Sequence, residues 1–486
     1  MGEIIAVLSK KDGNVAKAAT TMLESLKHRN VETFGMATPS EIAIETTIKA
    51  IQDQEMNSHL IVGHVFSRIL DGDRPQPVDL GDATLVFEGR VYSQAGQVSD
   101  IKTVVKKLQR NYEGAKSLVK EAHGDFVFAM ALASRIVAGR DVVGGRPLYY
   151  GENEELAALA SERKALWRIG IGKTDSFPPG HIALLDKHGF GYERINTLTY
   201  SKPRRITMQV AVKELQRVLL HAMKERLSGL KEVTVAFSGG LDSSIIAFLA
   251  KQSNVDTNLI HVSLRDQPES GYAKKAAEEL GLPIHVCLFK EEDVEKAVPE
   301  VVKCVEEPDP IKVSIGIPVY WAAEKTAEMG FKVLLAGQGA DELFGGYKRY
   351  VDELLLHGNE DARRMMFDDA TKIHETNLER DFKICEFNGV ELRLPFASFE
   401  IVKFAIDLPL NLKIESKQNT ARKLVLRHLA ENIGLSSSVS SRPKKAIQYA
   451  TGVASLLRKI AKRKGLTIRE YLCRMCQENR QTDCKI

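Results

Sequence analysis

The stretch VTVAFSGGLDSSIIAFLAKQ, residues 233–252, decides the fold of the second half of the chain. A β-branched run meets two glycines, an acid, two hydroxyls and then an apolar, helix-like run. Strand, glycine loop and helix in that order is the layout of a phosphate site. Gly239 and Gly240 let the backbone turn tightly and approach an anion. Ser238 opens the turn, and Ser243 and Ser244 stand at the helix start, where free N–H groups and the dipole favour negative charge. Asp242 would repel a bare phosphate, and is explained if it holds Mg²⁺ bridging to one. A Ser-capped glycine turn without ligand is the plain alternative. No G-x-x-x-x-G-K-S/T occurs; GIGKT at 170–174 comes close, but Trp167 stands where the first glycine is needed.

A second stretch repeats this logic. KVLLAGQGADELFGGYKRY, from Lys332, reads as a strand, glycines, the paired acids Asp341 and Glu342, and glycines again. Ligands gather at the carboxyl ends of strands in such folds, so Asp341 and Asp242 are expected to share one magnesium ion. The other reading of Asp341 is a helix cap, with Gly345 and Gly346 closing a turn. The strands VTVAF, NLIHVSL, IHVCLF and KVLLAG alternate with long amphipathic helices such as MQVAVKELQRVLLHAMKERL, which predicts a parallel α/β sheet.

Residues before 200 read differently. EIIAVLS, HLIVGHVFS, TLVFEGRVYS, DFVFAMALAS, RIVAGRD and PLYYGEN are β-branched and aromatic runs broken by Gly, Asp or Asn. Two stretches, VAKAATTMLESLKH and SDIKTVVKKLQRNYEGAKSLVKEA, have helical periodicity. Two sheets with helices outside is the simplest layered solution. SKPRRI at 201–206 is the expected linker, giving domains at 1–200 and 207–486.

At 486 residues the chain is too long for one ordinary core. Its 44% apolar and 27% charged residues describe a soluble globular protein, and a net charge of +4 gives no reason to expect nucleic acid as the main partner. No apolar run reaches the roughly 20 residues of a membrane span. The start, MGEIIAVLSKKDG, reads as strand and turn and not as a secretion signal, so a cytoplasmic location is expected. Cys287, Cys304 and Cys385 sit singly in apolar surroundings, as buried reduced thiols do. Cys473, Cys476 and Cys484 could hold zinc only if a fourth ligand arrived from elsewhere. LLRKIAKRKG, from Leu456, is a basic helix end that reads as a solvated face or a contact to a macromolecular partner.

The motifs SGGLDSS, GADELFGGY, GVELRLPF, KLVLR and RPKKAIQ, in this order, resemble the synthetase half of asparagine synthetases. In the first half LKHRN, GRDVVGGRPLYYG, LASERKAL and FPPGH are similar to the class II glutamine amidotransferase half of the same enzymes. The resemblance covers nearly the whole chain. It implies an α/β protein: a two-sheet αββα sandwich, then a helix-rich, parallel-sheet ATP-pyrophosphatase domain. ATP and Mg²⁺ are implied as cofactors. Ser238, Gly239, Gly240, Asp242, Ser243 and Ser244 would hold pyrophosphate. Ala236, Val262, Ala336 and Gly337 would line adenine and ribose, and Asp242 and Asp341 would bind the metal. Lys444 would neutralise departing pyrophosphate, with Asp341 and Glu342 beside it in catalysis. Glu391 and Arg393 also match, and read equally as a structural pair.

The chain departs from this family at several points. The family's glutaminase half uses a cysteine directly after the initiator methionine; here Gly2 and Glu3 follow, and the first cysteine is Cys287. Glu88 of Glu88-Gly89-Arg90 replaces an asparagine that helps hold the oxyanion, and would repel one. Phe66 stands where an arginine should grip the glutamine carboxylate. A glutaminase half without activity is expected. In the synthetase half Gln338 replaces a glutamate thought to assist the amine's attack, and Ala336 replaces a serine. The expected function is an AMP-forming ligase that adenylates aspartate or a similar small carboxylate, for amide formation with ammonia. The alternatives are an amide or lactam ligase with another or macromolecular acceptor, and a non-catalytic ATP-binding partner. A homodimer or an ammonia-supplying partner is compatible with the sequence.

Overall fold

The stretch read first folds as strand Glu232–Ala236, a loop and helix Leu241–Lys251. The computed structural model describes residues 2–93, 101–108, 111–415, 421–440 and 446–483. Two units make up the chain: one runs to Thr197 and takes in Glu386–Gly389, and the other holds Leu198–Cys385 and Val390–Gln481.

In the second unit five parallel strands lie in the order Ile284–Phe289, Asp256–Leu264, Glu232–Ala236, Val333–Leu335, Glu391–Arg393. Chain order reverses at Glu232–Ala236. The next two strands add to one side of it and the last two to the other, so a crevice opens beyond its carboxyl end, where such sheets take ligands. Parallel strands covered on both faces must be apolar throughout. Val233, Val235, Leu259, Ile260, Val333, Leu334 and Leu335 are all buried. Glu391 and Arg393 are also buried, and pair with each other at 2.6 Å, while Arg393 Nη1 donates to the carbonyl of Arg226. That is a structural pair within the sheet. Residues 201–206 have no regular secondary structure but do not hang free: Ser201 Oγ donates to Asp407 Oδ1 at 2.5 Å and the Arg204 N–H to the Asp407 carbonyl.

Two antiparallel sheets, of seven and six strands, form the first unit. Strand Gly2–Ser9 is central to the larger one, between Leu156–Ala160 and Leu60–Phe66. Its side chains alternate faces. Ile4, Ala6 and Leu8 pack between the sheets with Val86, Val127 and Ala138, whereas Ile5 and Val7 face helix Ala16–Ser25 through Ala19, Met22 and Leu23. On the far side of the smaller sheet, Phe126 and Phe128 pack against Ala115, Leu118 and Val119 of helix Tyr112–Glu121. This is an αββα sandwich. The long helical stretch expected over residues 99–122 is in fact two helices, Ile101–Leu108 and Tyr112–Glu121. Asn111 restarts the second, its side chain accepting from the Gly114 N–H at 2.8 Å. Among the described residues no helix is long and apolar enough to cross a membrane.

Candidate active site

The Ser238 loop is built by its own hydroxyls. Ser238 Oγ and Ser243 Oγ lie 3.1 Å apart, Ser243 Oγ donates to the Gly240 carbonyl at 3.2 Å, and the Gly240 N–H donates to Ser238 Oγ. Gly239 has φ +64°, and a Cβ there would stand 2.9 Å from the Ala273 Cα, so the turn needs glycine twice over. Helix Leu241–Lys251 begins at Gly240 with Asp242 in its first turn. The second loop leaves strand Val333–Leu335 through Gly337 and enters helix Ala340–Phe344 at Gly339. Gly337 lets the two loops touch: a Cβ on it would lie 2.9 Å from that of Asp242.

Asp242 and Asp341 meet around one cation, the ammonium of Lys423. Its Nζ lies 2.5 Å from Asp242 Oδ2 and 2.7 Å from Asp341 Oδ1. The lysine side chain is 4% exposed and each carboxylate 15%. Lys423 has φ +60°, a backbone state rare for a lysine, directly before helix Leu424–Asn432. A cation at a helix N-terminus opposes the dipole, so the two acids hold Lys423 in place against two local costs. Strain of this kind concentrates at functional positions. Neighbouring Arg422 anchors the arrangement by donating to the Gly346 carbonyl at 2.6 Å. Gly346 is a second fixed point: a Cβ there would fall 1.8 Å from Asp341 Oδ1 and 2.6 Å from Lys423 Cε. Gly346→Ala is expected to push Asp341 out of place, destabilising the unit by about 1–3 kcal/mol. Thermal unfolding checks this, and a wild-type midpoint would contradict the packing.

A cavity of about 270 Å³ opens over these loops. Ala236, Ser238, Gly240, Asp242, Ser243, Val262, Ala336, Gly337 and Asp341 line it, together with Gln338, Arg422, Lys423 and Arg427. Ile315, Pro318, Val319 and Ala322 supply an apolar wall. Gly239 and Ser244 are not among the lining residues, and Ser244 is fully buried. Glu342, expected beside Asp341 in catalysis, does not line this cavity but is bonded to Tyr347 and Asn377, which do. It is 4% exposed and accepts from Tyr347 Oη at 2.5 Å and Asn377 Nδ2 at 2.6 Å, and burial, then the Asp341 charge, raises its pKa. That is the setting of a residue that holds the loop. Lys444 lies outside the described residues, as does Cys484. Lys423 and Arg427 belong to KLVLR but were not expected in the site. The basic residues opening a helix, against the dipole, were the signal for them.

In the first unit the departures at residues 2, 66 and 88 come together. Gly2 is paired with Phe66 across the sheet. A Cβ on Gly2 would stand 2.1 Å from the Val65 carbonyl oxygen and 2.4 Å from His64 Cε1. His64 is buried, and burial drops its pKa to about 3, so it is neutral. Glu88 Oε2 lies 4.0 Å from His64 Nε2, and Glu88 Oε1 lies 3.4 Å from Arg146 Nη1. Arg90 is committed elsewhere, to Asp73 in a two-pronged pair at 2.5 and 2.9 Å.

Beside them sits a buried polar knot. His28 Nε2 lies 3.0 Å from Glu3 Oε1 and 2.7 Å from Glu162 Oε1, with Lys164 against Glu162. Burial raises the Glu3 pKa to about 7. Burial also opposes charge on His28, but Glu3 and Glu162 outweigh it and raise its pKa to about 9. Both groups hold protons more tightly folded than unfolded, so both contributions fall as pH rises. Glu3 loses its share between about pH 4.5 and 7, and His28 between about pH 6.5 and 9. With chelator present, the stability that the wild type holds over His28→Gln, measured by denaturant at each pH, is expected to shrink by roughly a few kcal/mol from about pH 6 to 9. A difference that stays constant or grows over that range would contradict the knot.

Known proteins give this arrangement a family. The asparagine synthase family model matches residues 214–362 and 355–474, and the glutamine amidotransferase domain model matches residues 71–168. A Methanocaldococcus jannaschii protein named with the glutamine-hydrolyzing asparagine synthetases is 30% identical over 97% of this chain and 98% of its own. The Arabidopsis thaliana asparagine synthetase (glutamine-hydrolyzing) 1 is 26% identical over 87% of this chain and 73% of its own. Among solved structures, the allosteric regulatory enzyme of purine biosynthesis matches 59% of this chain and 80% of its own at 15% identity and a TM-score of 0.36. The chain belongs to the asparagine synthetase family of ATP-dependent carbon–nitrogen ligases, with an amidotransferase-type unit preceding the synthetase unit.

Proposed function

We propose that this chain adenylates the carboxylate of aspartate or a close relative at the expense of ATP, releases pyrophosphate, and forms the amide with free ammonia. The carrying observation is the meeting of Asp242 and Asp341 on one ammonium, at the mouth of the parallel sheet and beside a hydroxyl-rich anion loop. Two carboxylates that converge on a lysine Nζ offer the hard oxygen donors that Mg²⁺ prefers, so the acids present fit that ion. When bound, Mg²⁺ would supply charge neutralisation across the phosphate oxygens.

The chain's own residues account for the rest. Backbone N–H groups of the Ser238 loop and the dipole of helix Leu241–Lys251 favour an anion at the loop. Ala236, Val262 and Ala336, small or β-branched residues on the cavity wall, leave room for a flat ring against backbone. With Mg²⁺ held by Asp242 and Asp341, Lys423 would be available to hold negative charge on phosphate oxygens. Lys444 is proposed for the same task as pyrophosphate leaves. Gln338 lines the cavity as a neutral amide and cannot take a proton from an attacking ammonium. That residue favours a second reading, in which the acceptor or the amine differs from aspartate and ammonia.

The test is pyrophosphate release with ATP, Mg²⁺ and a panel of acids. Release with aspartate and ammonium is the expected result. Release with another acceptor alone selects the second reading, and ATP binding without any release makes the chain a non-catalytic partner. We further propose that the amidotransferase unit hydrolyses no glutamine.

A further inference from the structure

We propose that Glu3, His28 and Glu162 form a binding site for one divalent transition-metal ion inside the amidotransferase unit. The site goes beyond the ligase reading and does not depend on it. Each residue comes from a different element. Glu3 is in strand Gly2–Ser9, His28 follows helix Ala16–Ser25, and Glu162 stands directly before helix Arg163–Trp167. One ligand atom from each, two carboxylate oxygens and an imidazole nitrogen, lie within 4.8 Å of one another. The side chains are 3%, 5% and 1% exposed.

A further observation points to a bound cation: Glu3 Oε2 is buried without a hydrogen-bond partner, an expensive state for a polar atom. A dication would take the place of the proton that His28 Nε2 now shares with the two carboxylates. Little movement is needed. His28 Nε2 now stands 3.0 and 2.7 Å from the two carboxylate oxygens, and a tetrahedral ion with bonds of about 2.0–2.2 Å holds its ligands roughly 3.3 Å apart. Lys164, on the other oxygen of Glu162, would fix that carboxylate as a one-oxygen ligand. One imidazole and two carboxylates suit Zn²⁺, Mn²⁺ or Fe²⁺ over Ca²⁺, and three protein ligands leave a fourth position open.

The experiment produces the full chain in zinc-supplemented medium, dialyses it exhaustively, and measures metal by plasma mass spectrometry beside Glu3→Gln and His28→Gln. About one zinc equivalent more in the wild type than in either variant is expected. Equal content in all three, or no zinc in the wild type, overturns the proposal. A zinc held by Asp242 and Asp341 would appear equally in all three and so cancels. Should the variants not fold, cobalt-loaded Asp242→Asn, which lacks the other acid pair, decides. Visible d–d bands without thiolate charge transfer support the site. No bands, or a thiolate signature assigning the ion to Cys473 and Cys476, sinks it.

Discussion

If the chain releases pyrophosphate from ATP as proposed, Asp341→Asn and Asp242→Asn are each expected to lower that release by roughly 10²–10³-fold while leaving the protein folded. Each acid is 15% exposed and sits in the first turn of a helix, outside the hydrophobic core clusters. Neutralising one removes half of the hard-oxygen pair that a dication needs, but leaves Lys423 its other carboxylate. The stability cost is therefore that of one charged hydrogen bond, about 1.5–3 kcal/mol. Lys423→Met should act in the opposite sense on metal. In the wild type Lys423 Nζ occupies the point where both carboxylates converge, so nucleotide-free protein should gain little thermal stability from Mg²⁺. Without the ammonium two carboxylates face each other across a few ångströms, and repulsion favours either a proton or a dication between them. The variant should then unfold at lower temperature without Mg²⁺ and recover with it, and should still be slow in turnover for want of the positive charge. Calorimetry with and without Mg²⁺, beside a pyrophosphate assay, reads both. Wild-type activity in either aspartate variant would remove the metal-bridging reading of these loops.

What could be read from the residues alone divides along a physical line. The Ser238 loop was legible because its determinants are local: glycines for the turn, hydroxyls that hold it, and an acid in the first turn of a helix. The parallel sheet was legible because VTVAF, NLIHVSL and KVLLAG are short apolar runs between helices. Features created by distant packing were not. Lys423 reaches Asp242 across 181 residues of chain, and nothing in its own neighbourhood names those partners. Only its misfit with the helix dipole marks it. Leu156–Ala160, LAALA, is a strand that neither β-branching nor alternation announces; it is one because Gly2–Ser9 pairs with it. Residues 99–122 kept helical periodicity across a break that Asn111 alone signals. Glu342 looks like the twin of Asp341, yet it does not line the cavity and instead accepts from Tyr347 and Asn377, which do.

Restoring a cysteine at position 2 is expected not to restore glutaminase activity. A side chain there has no place to go, since its first carbon would lie 2.1 Å from the Val65 carbonyl oxygen and 2.4 Å from the His64 ring. His64 could swing aside, but the carbonyl belongs to the strand paired with Gly2–Ser9 and cannot. Gly2→Cys should therefore cost about 1–3 kcal/mol through overpacking and still release no glutamate from glutamine. Adding His64→Ala relieves one clash and leaves the other, and adding Glu88→Asn removes an acid from the place where an oxyanion would need a donor. The triple variant should remain inert because Phe66, buried beside Gly2, presents no charge to a substrate carboxylate. Losing a nucleophile costs orders of magnitude more than binding groups can return, and here the backbone also denies the nucleophile its space. Glutamate release by the wild-type chain, or its recovery in Gly2→Cys alone, would refute this account of the first unit.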